Sequence, residues 1–86
     1  MRAAQGTTKI SEYFKSKRVG VNLSQQDVAK ALGFTTGQFI SNWERGLSFP
    51  PMQVLPKLVK LYKINKNELV NVYLEEQKKM IRGVLR

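Results

Sequence analysis

The chain contains neither cysteine nor histidine. Without cysteine no disulfide can hold the fold, and a reducing compartment suits it. The two absences together remove the commonest general base, all thiol nucleophiles and most zinc sites. Acids are scarce too: six Asp and Glu stand against fifteen Lys and Arg, a formal charge of +9. Those six are scattered apart from Glu75-Glu76, which adjoins Lys78 and Lys79 and reads as a solvated helix face, not an acid–base dyad. No glycine-rich phosphate loop is present. The expectation is a protein with no catalytic residue, no metal site and no cofactor, and not an enzyme. Apolar runs nowhere approach the ~18 residues that span a bilayer, and the opening MRAAQG lacks the apolar stretch of a signal peptide. The protein is expected to be soluble and cytoplasmic, with no membrane partner.

What is present suits one small domain. The 86 residues are 42% hydrophobic and 24% charged, with no low-complexity tract. A chain of this size buries roughly 60–65% of its unfolded surface, enough for a single modest core. The excess positive charge raises the local concentration of polyanions, which places nucleic acid first among partners.

Periodicity predicts five helices and no strand. Residues 1–7 read as a flexible basic arm. Thr7 or Thr8 caps a first helix to about Val19, with Ile10, Tyr13, Phe14 and Lys17 at helical spacing. Gly20 and Asn22 mark its end. Ser24 and Asp27 form an acidic capping box for a short second helix, and Leu23 can staple onto Val28. Val28, Ala29 and Leu32 are its buried stripe, and Gly33 stands at its left-handed stop. A third helix begins at Thr35 or Thr36, with Phe39, Ile40 and Trp43 inward, and ends at Gly46. Leu47 to Pro51 is a loop. A fourth helix covers about 52–63, starting near Gln53 so that Pro56 falls in its first turn. Asn65 or Asn67 caps a fifth, which carries Leu69, Val72, Tyr73, Met80, Ile81 and Leu85 on one side.

The second and third helices carry the functional signal. Two short helices joined by a tight glycine-containing turn match a helix-turn-helix. One helix braces on the phosphate backbone while the other enters a major groove about 12 Å wide. Gln38, Ser41, Asn42 and Arg45 recur at i, i+3, i+4 and i+7, a polar stripe opposite Phe39, Ile40 and Trp43. Gln and Asn each offer a donor and an acceptor together, as bidentate binding of adenine requires. A merely solvated polar face has the same periodicity.

The segments "LSQQDVAKALG", "ISNWERG" and "SFPP" resemble the Cro and phage-repressor type of helix-turn-helix domain, the XRE family. The resemblance covers about residues 8–74, with the motif at about 24–45 and residues 75–86 as a helical extension. It implies an all-α, compact five-helix, lambda-repressor-like DNA-binding domain that controls transcription, usually as a repressor or autoregulator in bacteria and phages. By position, it implies that Gln38, Ser41 and Asn42 meet base edges. Gln25, Arg45 and Ser48, with Thr36 and Gly37 at the helix entry, position the double-stranded DNA backbone. It also implies a structural salt bridge between Arg18 and Glu44. Trp43 is read as core.

The stretch FTTGQF between Gly33 and Ile40 is one residue longer than the family's common turn. Two caps compete there. Thr35 as cap would make a box with Gln38 and allow a Phe34–Phe39 staple, whereas Thr36 as cap would leave Gln38 free for a base. Gly37, lacking a side chain, would let the backbone approach DNA closely. Lys15, Lys17 and Lys30 are placed to add backbone attraction; Lys57, Lys60 and Lys63 read as a solvated face.

Tyr73, Met80, Ile81, Val84 and Leu85 are more apolar than a detached tail needs. They either pack on their own domain or form a homodimer contact that reads a pseudo-palindromic operator. An antitoxin-like module that captures a protein partner is the alternative function. RNA binding is a weaker third, since exposed aromatic platforms are lacking.

Overall fold

The computed structural model describes residues 9–86, so the basic arm and the Thr7 or Thr8 cap lie outside the described residues. Among those described there are five α-helices and no strand: α1 Lys9–Gly20, α2 Gln25–Leu32, α3 Gln38–Glu44, α4 Leu55–Tyr62 and α5 Lys66–Leu85. The all-α expectation holds. A short 3-10 turn, Met52–Val54, precedes α4 and places Pro56 in that helix's first turn, where its missing N–H costs no hydrogen bond.

Local chemistry accounts for the boundaries. Asn22 (φ 60°) takes the left-handed conformation after α1. Ser24 accepts the Asp27 N–H while Asp27 accepts the Ser24 N–H, both at 2.9 Å, closing the capping box on α2. These bonds hold the Asp27 carboxyl below the usual carboxylate range. Gly33 (φ 86°) ends α2 as expected. Lys63 (φ 55°) ends α4 without a glycine. Asn65, not Asn67, caps α5 by accepting the Glu68 N–H at 3.0 Å.

One core forms where α1 packs on α3, α4 and α5, with α2 packed on α3. Ile10, Phe14, Val28, Ile40, Trp43 and Leu58 lie at its centre. One expectation needs correction. Phe39 is 54% exposed and only its stacking on Phe34, with ring centroids 5.0 Å apart, draws it toward the fold. The inward stripe of this seven-residue helix is instead Ile40, Trp43 and Glu44. Lys17 pairs with Glu68 at 3.1 Å, and Tyr13 donates to the same carboxylate at 2.9 Å. That clasp joins α1 to α5 and depresses the Glu68 pKa, so Lys17 has a structural partner.

α5 is one continuous helix of 20 residues that ends at Leu85, so 75–85 continue it without a break. Its first half packs on the domain: Leu69 is buried, and the Tyr73 ring lies edge-on to Phe14 and Phe49. Burial pushes the Tyr73 hydroxyl up to about 12. Tyr73 is thereby separated from the other residues expected at a dimer contact. Met80, Ile81, Val84 and Leu85 are all exposed and take no part in the core among the described residues.

Candidate nucleic-acid interface

The candidate site is built from the α2 N-terminus, the turn and α3. Phe34 N–H bonds back to Ala29 at 2.8 Å and directs the chain out of α2. Gly37 then stands at the cap of α3, and Thr36 Oγ1 accepts the Gln38 N–H at 3.2 Å. Neither threonine is the N-cap, which corrects both expected caps; Thr36, one residue earlier, only accepts the Gln38 N–H. The Thr35–Gln38 box does not form, because the Gln38 side chain runs along the helix and donates to Asn42 Oδ1 at 3.0 Å. The Phe34–Phe39 contact forms nevertheless.

Gly37 has a structural reason that the sequence did not reveal. A Cβ there would lie 3.2 Å from the Gln25 carbonyl carbon and Cβ. Its absence lets the α3 entry press against the first turn of α2.

Beneath this surface lies a partly buried polar network centred on Glu44. Arg18 grips Glu44 with two bonds, Nε to Oε2 at 2.7 Å and the terminal nitrogen to Oε1 at 2.9 Å. Another Arg18 nitrogen donates to the Leu23 carbonyl at 2.8 Å. Only 11% of the Arg18 side chain and 3% of the Glu44 side chain are exposed. The Glu44 bond, above all, raises the Arg18 pKa. Gln25 Nε2 adds a third bond to Glu44 at 3.0 Å. The Gln25 side-chain amide, expected at a phosphate, thus ties the α2 N-terminus to the end of α3.

The remaining residues converge. Gln25, Thr36, Gly37, Gln38 and Ser41 line one open polar cleft with Gln26, a residue the sequence reading passed over although it directly follows Gln25. None of these six carries a charge. Asn42 joins them through its bond to Gln38. Arg45 and Ser48 are exposed beyond the cleft, Arg45 at the end of α3 and Ser48 in the following loop. That loop turns at Gly46 (φ 76°) and is anchored by Leu47 N–H on the Asn42 carbonyl at 2.9 Å.

Compared with known protein families, residues 8–75 match the helix-turn-helix domain. The chain belongs to that family, as a helix-turn-helix domain of the XRE/Cro type. As a helix-turn-helix domain it is a DNA-binding regulator in general terms. No curated protein and no solved structure matches it. Among the described residues, no helix of this helix-turn-helix protein is long and apolar enough to cross a membrane.

Proposed function

We propose that this chain is a sequence-specific transcriptional regulator, a repressor or autoregulator that acts without catalysis by occupying an operator. The observation that carries this reading is the Gln38–Asn42 pair on the rim of the α2–α3 cleft. One amide–amide bond orients both side chains and leaves each with unused donor or acceptor capacity. Oriented amides are the groups that bind adenine edges bidentately. Ser41 is the neighbouring base-reading residue. Thr36, Arg45 and Ser48 hold the backbone, with Gln25 and Gly37 bracing the reading helix. The charge of +9 supplies sequence-independent attraction.

Binding as a homodimer through Met80, Ile81, Val84 and Leu85 fits a pseudo-palindromic site with half-sites about 34 Å apart. The exposure of those four side chains supports it. The same exposed end of α5 supports the second reading, an antitoxin-like module that holds a protein partner. Selection from a randomised duplex pool separates the two. Enrichment of one sequence supports the regulator, and binding with no enriched sequence refutes it. Removal of residues 78–86 should abolish self-association in ultracentrifugation, and unchanged association would refute the tail contact.

A further inference from the structure

We propose that the groove between α4 and α5 is a docking site for an acidic amphipathic helix of another protein. Met52, Leu55, Val59 and Val70 line an apolar depression of about 480 Å³, flanked by Lys60 and Lys66. Met52 is 72% exposed and Val70 54%, so large apolar side chains are held out in water. Leu74, one turn beyond Val70 on α5, is exposed as well and lengthens the apolar surface. The groove shares no residue with the α2–α3 cleft.

Charge identifies the occupant. No acid lines the groove, and the ion pairs among the described residues engage Lys17, Arg18 and Lys78 instead of Lys60 or Lys66. An entering helix therefore meets an apolar floor with two lysines in its lining. A helix laid in a groove offers apolar anchors at i, i+3 and i+7 and can place Asp or Glu on either side of them. The exposed end of α5 from a second copy fits poorly. Its sequence, QKKMIRGVLR, carries four Lys and Arg and no acid, so seating it here would set like charges together. Of the two acids just before it, Glu75 lies 3.6 Å from Lys78, and Glu76 has one carboxylate oxygen buried.

The test uses two labelled helical peptides with identical leucines at i, i+3 and i+7, one flanked by Glu and the other by Lys. Fluorescence anisotropy should show the Glu peptide binding at least about tenfold tighter, since each tenfold is only ~1.4 kcal/mol. Its amide shift changes should centre on Val59, Leu69 and Val70. Lys60→Glu combined with Lys66→Glu should invert the preference, and Val70→Ser should weaken the Glu peptide several-fold should the double variant not fold. Equal affinity for the two peptides would overturn the proposal. So would shifts centred on Gln25, Gln38 and Asn42, which would place the peptide on the DNA-reading face instead of the groove. Concentration-dependent dimers that Val70→Ser dissolves would overturn it too, by assigning the groove to a second copy.

Discussion

Gly37 and Gln25 are in such close approach that a Cβ on Gly37 would lie 3.2 Å from Gln25 backbone. This contact sets how deeply α3 sits against α2, and so where Gln38 and Asn42 are presented. With φ −78° at Gly37, backbone conformation is no obstacle to another residue; space is. Gly37→Ala should therefore destabilise the domain modestly and Gly37→Val more, within the ~1–3 kcal/mol typical of overpacking. Urea unfolding measures this. A Gly37→Val variant as stable as the parent would show that the approach is slack.

The Arg18–Glu44 pair is nearly enclosed and carries Gln25 with it. Glu44→Ala strands a buried guanidinium, a loss of ~3–5 kcal/mol. Arg18→Ala should cost a similar amount, and the double variant far less than the sum. A double-mutant cycle with no coupling energy would contradict the pairing.

The Asp27 carboxylate caps α2, and its pKa is depressed first by the Ser24 backbone N–H. A folded-state pKa below the unfolded one means that the unfolded chain binds the proton more readily. The stabilisation is therefore complete above the unfolded value, ~3.9, and is lost as pH falls through the lower folded value. Glu68, depressed by Lys17 and then Tyr13, acts in the same window and direction. Thermal unfolding from pH 6 down to about pH 2 should show Asp27→Asn with a shallower loss than the parent. Identical acid profiles would remove the capping box from the account.

Much of this was legible in the chain because its signals are local. Ser24 with Asp27, Gly33 after Leu32, and Asn65 before Glu68 each act within a few residues, and each forms in the structure. The Arg18–Glu44 bridge spans 26 positions and was legible only through the family resemblance. Contacts that depend on packing were not legible. The Tyr13–Lys17–Glu68 clasp joins helices that are distant in sequence, so no spacing announces it. Phe39 is four residues from Trp43, but the buried stripe runs through Ile40, Trp43 and Glu44 and leaves Phe39 at its edge. The close approach of Gly37 to Gln25 is likewise encoded by no pattern around FTTG.

Arg45, exposed at the end of α3, should act on affinity without sequence preference. Arg45→Ala is expected to weaken specific and bulk DNA binding alike and to make the log–log salt slope shallower by about 0.9. Loss of affinity for one sequence alone would place Arg45 on a base.

The claim that the Gln38–Asn42 pair reads bases is tested most directly by selecting duplexes from a random pool with the parent, Gln38→Ala and Asn42→Ala proteins. The parent should enrich one half-site. Each variant should lose ~1–3 kcal/mol of discrimination at an adenine-containing position while keeping its bulk DNA affinity. Identical enriched sequences from all three proteins would contradict the account.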